Sequence, residues 1–212
     1  MEQVKGKRRY DSGGRLEEAR RRRGTVLQAA ERQFAAHGYA GATIAGIAAE
    51  AHVSVETVYK YFGGKAGLVR AIYEQGLAGT GLVSAYQRSD DMRRHESEPQ
   101  TIMREWGLLT AEVAALVTPI RLLMRSAAAN DAEIAALLEN IDNERLKRMR
   151  HHARYLKEGG HLRDGVTFRQ ATDILWLCSS AELYDLLVLK RGWSSKQFAE
   201  HVTQIMIASL LS

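Results

Sequence analysis

The chain has 212 residues, 45% of them hydrophobic and 26% charged, and a formal net charge of +5. That composition suits a soluble globular chain with a sizeable core. The single cysteine, Cys178, excludes an intramolecular disulfide and fits a reducing compartment.

No apolar run is expected to reach the length of a membrane span, and the basic N-terminus lacks the apolar core of a secretory signal. A cytoplasmic location with no membrane partner is expected. The charge is unevenly placed. Residues 1–76 hold thirteen Lys/Arg against eight Asp/Glu, whereas residues 77–212 hold seventeen of each. The whole positive excess sits in the first third, which points to a polyanion partner for that end.

Residues 1–22 read as a basic, flexible arm with little to bury. From residue 23 the pattern turns helical, with Val26, Leu27, Ala30 and Phe34 on one face and Gly38 as the stop. Thr43 is the N-cap of a second helix running to about residue 51. His52 and Val53 break it. Ser54 caps a third helix, which ends at residue 61 or 62 before Gly63 and Gly64. A fourth begins near Lys65 and carries Leu68, Val69, Ile72 and Leu77.

Between residues 79 and 100 the periodicity fails, and this stretch reads as a loop. Helical signal returns over 101–117, restarts after Pro119 through residue 129 and resumes near Asp131. A long helix then runs from about Asn140 to Glu158, where Gly159 and Gly160 stop it. Segments 167–190 and 194–211 close the chain. Strand-type alternation is absent, so the fold class expected is all-α. Three domains of organisation follow: an arm at 1–22, a three-helix unit at 23–72 and a larger helical unit at 73–212.

Two helices joined by a tight turn form the outline of a helix-turn-helix. The turn lets the second helix buttress the third, and two turns of helix suffice to read base edges in a major groove. The face of the third helix offers Val55, Glu56, Thr57, Lys60 and Tyr61. Tyr59 and Tyr61 suit phosphates through their hydroxyls, Lys65 suits the backbone as a point charge, and Phe62 reads as core. Ser54 caps the third helix, and Thr43 caps the second, whose free N–H groups suit a phosphate.

These residues resemble the DNA-binding domain of the TetR family of transcriptional regulators. Its loose pattern is met by Phe34, Gly38, Tyr39, Thr43, Ile47, Ala48, Ala51, Val53, Ser54, Thr57, Tyr59, Tyr61, Phe62, Lys65 and Leu68. His52 departs from it, standing where the family usually has glycine, and Ala66 stands where an acidic residue is common. If the turn needs positive φ, histidine is among the more tolerant non-glycine residues.

In the second unit, the segment DILWLCSSAELYDLLVLK is apolar nearly all round. A surface helix needs only one apolar stripe, so the second is buried either by a partner or within a thick core of one protomer. The resemblance implies a homodimer built on the last two helices, with Ile174, Cys178, Ala181, Tyr184, Val202, Ile205 and Met206 at the interface. Cys178 itself reads as a small buried hydrophobe. The resemblance also implies a small-molecule effector pocket among the middle helices, for which Met103, Trp106, Met124, Tyr155 and Trp176 are lining candidates. Asn130, His151 and His152 are polar candidates. Adjacent histidines on a helix point about 100° apart, which is not a metal-binding spacing.

The function implied is a sequence-specific regulator that holds double-stranded operator DNA, a repressor released by an effector of unknown identity. The alternatives are an effector-independent DNA-binding factor and a helical enzyme. Against the enzyme, the sequence offers no Gly-rich phosphate loop, no metal-spaced ligand set and no evident nucleophile–base pair. No cofactor and no metal are expected.

Overall fold

The computed structural model describes residues 12–79, 83–96 and 98–212, and the regular elements among them are all helical. The chain divides into two compact units, one ending at Leu68 and the other beginning at Val69. The division falls inside a helix, a few residues before the expected boundary at 72.

In the first unit, α1 spans Ser12–Gly41, α2 Ile44–Glu50 and α3 Val55–Phe62. Helix α1 starts well before residue 23, so residues 12–22 are helical and not an irregular arm; residues 1–11 lie outside the described residues. Charge spacing accounts for this early start. Glu18 pairs with Arg21 and Arg22, three and four residues on, which supports a helix without apolar burial. Gly38, with φ 66°, breaks α1 where a stop was expected.

Val26, Ala30 and Phe34 of α1, Ile47 and Ala48 of α2, and Val58 of α3 are all buried. Arg32 and Gln33 of α1 both reach Glu50 on α2, the latter at 2.7 Å, and fix the two helices against each other. Helix α2 ends in a Schellman motif. The Val53 N–H donates to the Ala48 carbonyl at 3.0 Å and the His52 N–H to that of Ala49 at 3.2 Å. His52 holds the left-handed position with φ 54°, and is the one positive-φ residue other than glycine among those described.

Helix α4, Lys65–Ala78, leads into the second unit, which continues with α5 Ala85–His95, α6 Pro99–Ala127 and α7 Ala132–Glu158. Helix α5 occupies the stretch expected to be a loop. Its sequence lacks an apolar face because polar contacts hold it: Arg88 forks onto Glu112 of α6 with two 2.9 Å bonds, and Asp90 takes Arg148 of α7. Ser84 caps its start.

Helix α6 runs unbroken through Pro119, so that proline is interior and not the first residue of a new helix. Helix α6 is also long and apolar enough to cross a membrane by length and composition. This corrects the expectation that no apolar run reaches membrane-span length. Half of the stretch is buried within the helical unit, because α6 packs on α5, α7, α9 and α10.

The remaining elements are α8 Phe168–Cys178, α9 Ala181–Tyr184 and α10 Ser195–Leu210. Capping boxes start α8, through Thr167 and Gln170, and α10, through Ser194 and Gln197. Helix α9 passes directly into a π-helical turn, Asp185–Lys190. Ile102, Trp106, Leu156, Phe198 and Val202 belong to one buried core cluster. Helices α6 and α10 approach closely at Gly107, where a Cβ would overlap the Thr203 hydroxyl and lie 3.0 Å from the Ala199 carbonyl oxygen.

Candidate nucleic-acid interface and buried cavity

Helix α3 is short, capped at both ends and two-faced. The Ser54 hydroxyl accepts from the Thr57 N–H at 3.2 Å, and Gly63 closes the helix in the left-handed conformation. Val58 and Phe62 point into the core. The opposite face is open: Glu56 and Lys60 are exposed, and Tyr59 and Tyr61 are 52% and 37% exposed. Two large aromatic side chains left in water beside a lysine form a surface suited to a sugar-phosphate backbone. Val55 and Thr57 are half-buried. Thr57 also lies 3.1 Å from the Ser54 hydroxyl, so both residues serve the cap.

Thr43 is exposed, and its hydroxyl accepts from the Gly46 N–H at 3.0 Å as the N-cap of α2. Lys65 is half-buried. Its ammonium donates to the Tyr39 carbonyl at 2.7 Å and sits 4.5 Å from the centre of the Tyr39 ring. It therefore ties the start of α4 to the end of α1. Two residues on, a Cβ at Gly67 would overlap the Phe62 carbonyl. That close approach sets how α4 leaves α3.

The second unit holds a partly open cavity of about 110 Å³, against the ~10–15 Å³ that one water needs. Helices α6 and α7 contribute most of its polar wall, and α8 and α10 add Leu175 and Met206. Arg121, Arg145, Arg148 and His152 line it together with Trp106 and Thr118. Among the described residues no aspartate or glutamate does so.

Each arginine is partly engaged. Arg121 is 4% exposed and donates through Nη2 to Asp142 at 2.6 Å. Arg145 donates to the Trp176 carbonyl and the Ser179 hydroxyl, and its guanidinium lies 3.3 Å from the centre of the Trp176 ring. Burial first, then the nearby Arg121 charge, push Arg145 down to about 10. Arg148 holds Asp90 through Nη2 at 2.7 Å and through Nη1 at 3.1 Å. That hydrogen bond is the main reason the Asp90 carboxyl lies far below the usual carboxylate range.

His152 is kept neutral, chiefly by burial and then by Arg148 and Arg93. Arg148 Nε donates to its Nε2 at 3.1 Å. Because Nε can only donate, the imidazole proton sits on Nδ1. Burial also pushes the Tyr73 hydroxyl and the Cys178 thiol up to about 12.

Of the pocket residues expected from sequence, Trp106 lines the cavity and so does His152. Met103 and Met124 do not; both are fully buried core. Tyr155 instead lies under Arg93 and beside His161, and Trp176 supports Arg145 from outside the lining. Asn130 and His151 are exposed. The interface expectation also needs correction. Cys178, Ala181, Tyr184, Val202 and Met206 are at most 5% exposed within one protomer, so they form its core and offer no surface. Ile174 and Ile205 are half-buried. The exposed apolar side chains in this region are Leu177, Leu186 and Leu189, each more than half exposed.

Residues 26–72 match the family model of bacterial regulatory proteins, tetR family. No curated protein matches the chain. Solved structures do. A TetR-family transcriptional regulator from Syntrophomonas wolfei superposes with a TM-score of 0.71 at 21% identity, over 89% of this chain and 94% of that one. SmeT in its triclosan complex gives 0.70 at 22% identity, over 90% and 92%. The regulator FadR from Bacillus subtilis, with stearoyl-CoA, gives 0.67 at 15% identity, over 87% and 97%. At such identities these matches establish the shared all-α fold. Together with the capped helix-turn-helix, the family model places the segment at residues 26–72 in the tetR family of bacterial regulatory proteins.

Proposed function

We propose that this protein is a homodimeric, sequence-specific DNA-binding regulator, and a repressor whose hold on its operator is released by a small molecule in the second unit. The exposed face of α3 carries this reading: Glu56, Tyr59, Lys60 and Tyr61 stand clear of a core that fixes the helix from behind. Thr43 and Lys65 flank it, and the positive excess of the chain lies in the same third of the sequence. A dimer suits such a head, because two α3 helices meet two half-sites. Its surface would be built on Leu177, Leu186 and Leu189.

The cavity supports the release. A ligand shifts DNA affinity only if it binds one conformation better than the other, and a buried site in a helical unit is able to discriminate in that way. SmeT is solved with triclosan and FadR with stearoyl-CoA, which favours a ligand-responsive reading over an effector-independent factor. Among the described residues, the one hydroxyl–imidazole contact in the cavity, Ser89 Oγ to His152 Nε2 at 3.2 Å, shares that nitrogen with the Arg148 Nε donor, and no group orients the ring through Nδ1, so regulation is favoured over catalysis.

Fluorescence anisotropy on DNA flanking the protein's own gene tests this. Saturable binding that unrelated DNA does not displace is expected, with Tyr59→Ala and Lys60→Ala each weakening it about tenfold. Equal binding to all DNA would overturn the sequence-specific reading.

A further inference from the structure

The polar atoms of the cavity share one property. Trp106 Nε1, Arg121 Nε and Nη1, Arg145 Nε, His152 Nδ1 and the Thr118 hydroxyl are all buried and without a hydrogen-bond partner. Five of these six atoms can only donate, given the proton on His152 Nδ1. Buried donors are almost always satisfied, and leaving one unmade costs roughly 1–3 kcal/mol, more for a charged group. Five in one cavity wall therefore ask for an acceptor.

The charges agree. Asp142 Oδ1 faces two guanidiniums, Arg121 at 2.6 Å and Arg145 at 3.8 Å. Glu182, the other carboxylate near Arg145, is taken by Arg125. One carboxylate against two arginines, Arg121 buried and Arg145 partly so, leaves a local excess of positive charge. The rest of the wall is apolar, with Leu109, Val113, Val117, Leu175 and Met206 among it. The lining of α6 runs from Trp106 to Arg121, and fifteen residues of helix cover roughly 22 Å. The site is elongated, with the guanidinium pair near one end.

We infer that the cavity takes an elongated apolar molecule with a single oxyanion head, the head held by Arg121 and Arg145 and the apolar body lying along α6 towards Trp106. The arginine fork suits a carboxylate or a phosphate, both of which accept paired N–H donors. This inference rests on the effector reading for its biological use, but its chemistry is testable apart from it.

The test measures binding to the full-length protein, by calorimetry, of straight-chain carboxylates from butanoate to dodecanoate, the matched alkyl phosphates and the matched methyl esters. Carboxylates or phosphates are expected to bind, and whichever head binds better identifies the source. The esters are expected to bind about ten- to hundredfold more weakly, the worth of a charge-assisted hydrogen bond. Arg121→Met should erase the preference for the acid. The double variant Arg121→Met with Asp142→Asn removes the ion pair as a unit, guarding against loss of fold, and should do the same.

Esters binding as well as acids would overturn the oxyanion inference and leave the effector reading standing. Binding of neither would also overturn it, with water as the partner of the orphan donors. Acids that bind but do not release operator DNA would keep the ligand chemistry and sink the effector reading.

Discussion

The Lys65 ammonium lies 2.7 Å from the carbonyl oxygen of Tyr39, twenty-six residues earlier in the chain. The charge that sequence reasoning assigns to a phosphate is thus already spent in part on the fold. An ammonium has three donors, so the two roles are compatible and separable. Lys65→Ala should lower stability by about 1–2 kcal/mol in urea titrations, from the lost charge-assisted bond. It should also reduce the slope of log affinity against log salt by about one phosphate's worth. A variant that loses stability but keeps the slope would confine Lys65 to the structural role.

His52 holds φ 54° at the end of α2. Outside glycine, that conformation costs roughly 1–2 kcal/mol, with histidine among the tolerant residues. His52→Gly should therefore stabilise the protein by up to about 1 kcal/mol, after the glycine's extra freedom in the unfolded chain is subtracted. Chemical denaturation reads this directly. A destabilised variant would show that the exposed imidazole makes contacts that outweigh the backbone strain.

Gly67 has no room for a side chain, because a Cβ would overlap the Phe62 carbonyl, a backbone atom that cannot step aside. Gly67→Ala should cost on the order of 3 kcal/mol and disturb the exit from α3. Loss of DNA binding together with a lowered thermal midpoint is expected. An unchanged melting curve would contradict the close approach.

Acid should weaken the second unit through His152. Its folded pKa lies well below the ordinary 6.5, so the unfolded chain binds more protons as pH falls. The stability is complete above about pH 6.5 and declines below it, by at most about 1.4 kcal/mol per pH unit. The charged groups facing it are Arg148, Arg93, His151 and Asp90. His152→Gln should flatten the fall in thermal midpoint between neutral pH and pH 5. Asp90, whose pKa is also depressed, adds a further loss only as pH falls below the ordinary carboxylate range. An unaltered pH profile in the variant would locate the sensitivity elsewhere.

Replacing Leu177, Leu186 and Leu189 together by serine should convert a dimer to a monomer in sedimentation experiments. Each leucine is more than half exposed on the protomer, and fully burying one is worth about 1.5–3 kcal/mol. A triple variant that still sediments as a dimer would move the interface to another face, such as the exposed Leu108 and Leu116 of α6.

The first unit was legible because its signals are local. Thr43, Ser54 and Gly63 each mark a helix end through their own backbone chemistry, and the structure uses all three as caps. The cavity was not legible, because its key residues carry the opposite signal. Arg121, Arg145 and Arg148 read from sequence as solvated charges, and only tertiary packing turns them inward. Helix α5 failed for a related reason, since ion pairs replace the apolar stripe on which periodicity depends. The interface residues were misassigned because an apolar stripe says that it is buried, but not whether by its own chain or by another.

One residue's worth of helical phase decides where two of the exposed leucines point. In the turn Asp185–Lys190 the Arg191 N–H reaches five residues back, to the Leu186 carbonyl, at 3.2 Å, so the coil there is wider than an α-helix. Deleting a single residue would let it tighten to an α-helix, which absorbs the loss within the turn and keeps the phase of the chain beyond it. The leucine face is therefore addressable by chain length as well as by substitution. A one-residue deletion between Leu186 and Leu189 would give those two side chains a new spacing and angle without changing the chemistry of either.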